Sequence, residues 1–325
     1  MIRWAALLGL LGLAIFTAII IWSGYQPLML ALATAGWGIL WTSLFHLVSL
    51  LFSSIGWHAL APGKKRPSLG FIIYTLWLRS SVNNLMPVAR IGGEVLAVRV
   101  MVKHGVRKTI AVASTVVELT TSVIAVFLFD ILGIGLFVLH ISDRHTGWQL
   151  LAGVLLSVPA IVGLLFVQRI GLFGLFNKVF ALMIRDKWKK FLGSAAQLDR
   201  AVHAMYRRKQ RVIFCTFWQL MAWTSGIGEI WLALYYLGHT TSLLKAFMLE
   251  ALIQASASVA FAVPGALGVQ EAGFVLFGQM LGLAPETAVA VAVIRRCRDL
   301  LLFVPGLIVW QLQEGHWFLR SRKSV

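Results

Sequence analysis

Ser80-Ser81-Val82-Asn83-Asn84-Leu85-Met86-Pro87-Val88-Ala89-Arg90-Ile91-Gly92-Gly93-Glu94 and Ala257-Ser258-Val259-Ala260-Phe261-Ala262-Val263-Pro264-Gly265-Ala266-Leu267-Gly268-Val269-Gln270-Glu271 stand in opposite halves of one apolar chain. In each stretch alanine follows proline by two residues and glutamate follows it by seven, with glycines between. A proline in an apolar run removes a helical hydrogen bond and clashes with the turn before it, so each stretch interrupts a helix. Glycine there permits close backbone approach, while Asn83, Asn84 and Gln270 bring both donors and acceptors.

The rest of the chain explains why such interruptions matter. Of 325 residues, 59% are hydrophobic and 13% charged, against about 25% charged in an average soluble domain. Residues 4–22 and 28–60 contain no Asp, Glu, Lys or Arg. Runs of roughly 18 or more apolar residues read as transmembrane helices, and the alternation that a membrane strand would need is absent. The fold class expected is therefore an all-α polytopic membrane protein. The apolar run after Met1-Ile2-Arg3 is longer than the ~7–15 residues of a signal peptide, and no Ala-x-Ala site closes it, so it reads as an uncleaved first helix. Cys215 and Cys297 have no paired spacing, which argues against a disulfide framework or a thiolate metal site.

The formal net charge of +17 could suggest a nucleic-acid partner, but its distribution points elsewhere. Eleven of the 29 basic residues lie between Arg169 and Arg211, and others gather at Lys64-Lys65-Arg66, between Arg99 and Lys108, and between Arg320 and Lys323. Short basic loops between apolar segments mark the cytoplasmic side and attract anionic headgroups. Membrane lipids are the partners expected; no nucleic acid is.

This asymmetry orders the segments. Spans are expected at 4–23, 28–60, 109–129, 148–167, 212–237 and 286–312, with 131–147 outside and both termini in the cytoplasm. Segment 69–102 has basic loops at both ends and so must enter and turn back; segment 243–283 does the same from the other side. The architecture expected is about six spanning helices plus two re-entrant helical hairpins in an inverted repeat, eight hydrophobic units in one integral membrane domain, 1–325. Its first half, 1–168, holds hairpin 69–102; residues 169–211 form a basic amphipathic cytoplasmic connector on the inner leaflet; its second half, 212–325, holds hairpin 243–283. Non-helical backbone at membrane depth survives only when buried in protein or lining a wet cavity. Matched Gly/Pro-interrupted segments in two halves point to a binding site in transporters.

Pro87 falls on Pro264, Ala89 on Ala266 and Glu94 on Glu271, a constant offset of 177 that also places Glu118 on Arg295. Glu118 and Arg295 are thus expected to pair or share a polar site. The candidate substrate-binding and translocation residues are Asn83, Asn84, Pro87, Arg90, Gly92, Gly93, Glu94, Arg99 and Glu118 in the first half. Those in the second are Pro264, Gly265, Gly268, Gln270, Glu271, Arg295, Arg298 and Asp299. Intramembrane ionisable groups are costly and by default functional; buried Asn and Gly also serve simply to bind helices together. Arg295, Arg298 and Asp299 share a helical face and either touch substrate or pair with acids such as Glu271, whereas Arg296 points elsewhere. Glu229 and Glu250 are weaker candidates outside the paired motifs, and Gly278 to Gly282 reads as a packing face. No GxSxG, HExxH or Walker loop occurs, and the eight histidines lack ligand spacing. Neither catalytic residue, cofactor nor metal is expected, although a membrane lipid transferase stays open.

Four stretches carry a resemblance: Asn84 to Arg99, Ala113 to Thr121, Gly265 to Gly278 and Leu283 to Gln311. Here the chain resembles the flippase-like membrane region of lysylphosphatidylglycerol synthases, and over most of its length the hopanoid-biosynthesis-associated membrane proteins of that superfamily. The resemblance implies a lipid-translocating domain of the bacterial inner (cytoplasmic) membrane, moving hopanoid lipids toward the outer membrane alongside other lipid-synthesis or export proteins. Anionic phospholipid is the alternative cargo, and a lipid-modifying enzyme or a scaffold of lipid synthesis the alternative role. No counterpart of the synthases' C-terminal aminoacyl-transferase domain is expected, so lipid lysylation is not implied.

Overall fold

The computed structural model describes residues 29, 32–61, 67–86, 92–140, 195–259 and 266–322, which contain no strand. The helices, in chain order, are α1 (Gly38–Leu60), α2 (Leu69–Leu85), α3 (Gly92–Lys103), α4 (Lys108–His140), α5 (Ala195–Tyr206), α6 (Lys209–Tyr236), α7 (Leu243–Val259), α8 (Val269–Met280) and α9 (Pro285–Arg322). The spans expected at 4–23 and 148–167, and the connector as far as residue 194, lie outside the described residues.

Both interrupted stretches fall between two helices, as their prolines predict. The pieces also match in length: α2 and α7 have 17 residues each, α3 and α8 have 12. The first residues of α3 and α8, and of α4 and α9, are 177 positions apart. Two helices, α1 and α4, are long and apolar enough to cross a membrane by themselves. The others are shorter or more polar; α9 carries Arg295, Arg296, Arg298 and Asp299 within its length.

One expected boundary shifts. The third span was expected to end at 129 with external chain beyond, but α4 runs on to His140, 33 residues in all. Asp130 is buried rather than a surface stop, and the sequence after it, Ile131 to Leu139, is apolar without proline. At about 1.5 Å per residue, α4 is some 50 Å long, more than a ~30 Å hydrocarbon core.

The chain divides into two compact units. The first takes the described residues up to Leu50, Tyr74–Ala97 and those from Thr224 onward; the second takes Leu51–Ile73 and Val98–Trp223. In the first unit, α1 and α6 run antiparallel: Gly38 lies under the Tyr236 ring and Gly228 under the Phe45 ring, with room for no side chain at either glycine. The turn of α8 packs between α7 and α9. A Cβ at Gly273 would lie 3.0 Å from Ile253 Cδ1, and one at Gly278 would lie 3.1 Å from Ala288 Cβ, so the Gly278 face packs within the chain. At Gly306, α9 meets Ser81 and Trp77 of α2, and the Trp77 indole donates to the Leu302 carbonyl at 2.7 Å.

The polarity of α9 is inside-out. Leu300, Leu301, Val304, Ile308 and Leu312 are exposed, while Arg295, Arg298 and Asp299 are buried. Residues at these spacings occupy opposite sides of a helix. A soluble helix has the reverse arrangement; an apolar outer stripe around a charged interior belongs to a helix whose surroundings are hydrocarbon. On α1, Trp37, Leu40, Trp41, Leu44 and Leu47 are likewise exposed.

In the second unit the α1–α6 pairing continues through Ser53 with Gln219, Gly56 with Cys215, and the Ala61 carbonyl with Arg211. Here α5 packs on α4 with Leu198, Val202 and Met205 buried. The last part of the connector, expected on the inner leaflet, therefore spends its apolar stripe on α4, because that stripe meets a neighbouring helix.

Candidate functional site

At the first interruption the ends of α2 and α3 are locked together. The first amide groups of a helix have no intrahelical acceptor, and the Gly93 N–H is satisfied by Asn83 Oδ1 at 3.0 Å. Asn83 Nδ2 donates to Glu94 Oε1 at 3.4 Å, and Arg79 Nε makes a 2.8 Å ion pair with the same oxygen. Only glycine fits at 93: a Cβ would lie 2.5 Å from the Arg79 carbonyl oxygen and closer still to Asn83. Glu94 sits in the first turn of α3, where the helix dipole favours an anion. Asn84 is turned back to the Ser80 carbonyl at 2.9 Å, Gly92 opens α3, and Arg99 lies on an exposed side of it. Pro87 and Arg90 are outside the described residues.

The second interruption is built alike but paired differently. Gly268, at φ 78°, caps α8, and Glu271 again occupies the first turn. Ala266 also takes a positive φ, 47°. Glu271 is 1% exposed, and its Oε1 accepts from Arg296 Nε of α9 at 2.5 Å. Gln270 beside it is half-buried; Pro264 and Gly265 lie outside the described residues.

Arg296 belongs to a cluster that five helices assemble inside the first unit. Its Nη1 lies 3.5 Å from Asp299 Oδ2, and Asp299 Oδ1 accepts from Arg298 Nη2 at 2.6 Å. Arg298 Nη1 donates to Glu229 Oε1 of α6, whose other oxygen is 2.9 Å from His46 Nδ1 of α1. Arg298 Nη1 is also 3.3 Å from that imidazole nitrogen. Arg295 Nη2 donates to Glu250 Oε1 of α7 at 2.6 Å, while the guanidinium stacks over the Phe274 ring of α8 at 5.6 Å. Except for His46 and Arg296, which are more open, every member is buried. Charges this deep persist because each is paired; removing one partner would leave the other uncompensated.

Glu118 lies in the second unit. Gln219 Nε2 donates to its Oε1 at 2.9 Å, and Ser53 donates to Gln219 Oε1 at 3.1 Å, so three helices meet at a second buried polar site. Thr121 bonds the Glu118 carbonyl at 2.7 Å and lies 3.2 Å from Cys215 Sγ. Each member of the expected Glu118–Arg295 pair thus has a partner inside its own unit, Gln219 and Glu250.

Residues 9–306 match the model of one family, the lysylphosphatidylglycerol synthase TM region. The chain belongs to that family. It is accordingly a membrane protein, in keeping with the apolar helices α1 and α4 and the inside-out polarity of α9. No curated protein and no solved structure shows significant similarity to it.

Within this family member, sequence reasoning alone undervalued four residues of the cluster. Glu229 and Glu250 rank as weaker candidates because no paired motif surrounds them, and Arg296 points off the face of Arg295 and Arg298. Yet Arg296 is the one that holds Glu271. His46 carried a usable signal, an ionisable side chain in a run without formal charge.

Proposed function

We propose that this protein translocates lipids across the bacterial inner membrane, carrying hopanoid lipids toward the outer membrane, and that it does so without altering them. The observation that carries this reading is the buried network of His46, Glu229, Arg298, Asp299, Arg296 and Glu271, with the separate Arg295–Glu250 pair in the same unit, inside a membrane-family fold. Ionisable groups at membrane depth are costly, and where they face the protein interior they mark substrate or ion pathways. The family is that of a lipid synthase's membrane region, which favours lipid as the cargo.

In this reading the pairs α2–α3 and α7–α8 are re-entrant hairpins entering from opposite faces, with about six spanning helices around them and both termini in the cytoplasm. The equal lengths of α2 and α7 and of α3 and α8, and the 177-residue offset between the starts of α3 and α8, support an internal repeat. A headgroup crosses by exchanging with members of the ion-pair cluster while its tails stay in the bilayer. Glu94 and Glu271, each in the first turn after a break and each paired to an arginine, are the equivalent gates. Movement follows a gradient or couples to protons through a carboxylate.

Reconstitution into liposomes carrying extractable hopanoid polyol in one set and labelled phospholipid in another tests this reading. Leaflet transfer of the hopanoid by the wild type, lost in Glu271→Gln, is expected. Transfer of phospholipid alone reassigns the cargo. Absence of transfer together with a chemically altered lipid would show an enzyme, and absence of both would sink translocation.

A further inference from the structure

A small cavity in the first unit is lined by Thr42, Glu229 and Arg295, with Ile230, Ala233, Phe274, Val291 and Ile294 as apolar walls. It has room for about one water-sized group. Two polar atoms among its lining residues are buried and have no hydrogen-bond partner: Thr42 Oγ1 and Arg295 Nη1. Thr42 is 1% exposed and Arg295 9%. The unpartnered Thr42 hydroxyl stands apart from the neighbouring helical hydroxyls. Hydroxyls on these helices ordinarily bond back to the carbonyl one turn earlier, as neighbouring Ser43 does to Ile39 at 2.7 Å and Thr115 does to Ala111 at 3.0 Å. Arg295 spends Nη2 on Glu250 and its face on Phe274, leaving Nη1 as a fixed donor. A buried donor left without an acceptor is costly, so such atoms mark a place that something fills.

Charge and size select what that is. Four carboxylates, Glu229, Glu250, Glu271 and Asp299, stand in the surrounding cluster against three guanidiniums, Arg295, Arg296 and Arg298. With His46 neutral the sum is negative; with His46 charged it is zero. With all four carboxylates ionised there is no surplus positive charge for a phosphate, and a tetrahedral group of four oxygens exceeds a space for one water-sized group. An ammonium offers no acceptor to Arg295 Nη1. A hydroxyl offers an acceptor to Arg295 and a donor or acceptor to Thr42, carries no charge and fits.

We propose that this cavity receives one hydroxyl of a neutral, polyhydroxylated lipid headgroup, which accepts from Arg295 Nη1 and shares a second hydrogen bond with Thr42 Oγ1. The proposal rests on the lipid-translocation reading and narrows its cargo to uncharged polyol lipids. Glu229 takes no direct part: its two oxygens are held by Arg298 and His46, and it fixes the wall.

The test uses the full chain in phosphatidylcholine nanodiscs and monoglucosyl diacylglycerol as the neutral probe, with bound lipid counted by native mass spectrometry. Phosphatidic acid with the same tails and free glucose serve as competitors. Wild type is expected to bind the glycolipid, Thr42→Val to bind it about tenfold more weakly, as the loss of one hydrogen bond predicts, and Thr42→Ser to stay within about twofold of wild type. Equal binding by Thr42→Val would mean that the cavity holds only a structural water and would overturn the proposal. So would displacement by phosphatidic acid, which would make the ligand an anion, or by free glucose at the glycolipid's own affinity, which would make it soluble. If Thr42→Val fails to fold, Arg295→Lys carries the test: a shorter, non-planar donor is expected to weaken glycolipid binding similarly, and unchanged binding overturns the proposal. Leaflet transfer measured on the same variants separates the two ideas. Thr42-dependent binding without transfer by wild type sinks translocation and leaves the site; transfer of glycolipid indifferent to Thr42 sinks the site alone.

Discussion

Single residues decide whether the buried charges are tolerable. Glu250 is the sole carboxylate paired to Arg295 among the described residues, so Glu250→Ala strands a buried guanidinium. A loss of about 3 kcal/mol in stability is expected, read by chemical unfolding in detergent; a change within error would show that Arg295 re-pairs. The double variant Glu250→Gln with Arg295→Gln is expected to cost less than the two single changes together, since neither then leaves a lone charge. Gly93 offers a sharper steric test. Gly93→Ala drives a methyl group against the Arg79 carbonyl, which should cost about 2 kcal/mol. Gly135→Ala in α4 meets nothing within 4 Å and should be neutral or mildly stabilising. Both glycines look alike in sequence as members of apolar or polar helical stretches. What separates them is the backbone of another helix 2.5 Å from one Cβ position and open space at the other.

Among the helices, the breaks were legible and their fastenings were not. Proline followed by glycine and glutamate announced that α2–α3 and α7–α8 would each be interrupted, because proline acts on its own turn. That Asn83 would cap α3, rather than face a ligand, depends on α2 ending beside the start of α3. The second break carries local strain: Ala266 at φ 47° sits in a region that costs L-residues about 1–2 kcal/mol. Ala266→Gly is therefore expected to raise the unfolding free energy by about 1 kcal/mol; a decrease would mean that the methyl group's own burial outweighs the strain. The contact of α9 with α2 at Gly306 leaves no space for a larger residue. Gly306→Val should separate the pair and release the Trp77 indole from Leu302, seen as a red shift in Trp77 fluorescence on a background with other tryptophans replaced by phenylalanine.

For the whole molecule, thiol labelling separates segments that cross the membrane from those that return. On a background lacking Cys215 and Cys297, Ser68→Cys and Arg107→Cys flank α2–α3 at exposed positions, and Thr240→Cys and Ala284→Cys flank α7–α8. If both pairs are re-entrant, an impermeant thiol reagent labels the first two from one side of the membrane and the last two from the other. Labelling of Ser68→Cys and Arg107→Cys from opposite sides would make α2–α3 a crossing. The sequence by itself determined a helical membrane chain, its two interruptions and the 177-residue offset between their motifs, since length, apolarity and proline act within a few turns of the chain. Only the tertiary structure decided which charge meets which. Arg296 could not be seen to hold Glu271, nor Arg298 to join Glu229, until helices far apart in sequence were brought side by side. An ion pair needs its two groups within about 4 Å, and along this chain those partners stand 25 and 69 residues apart.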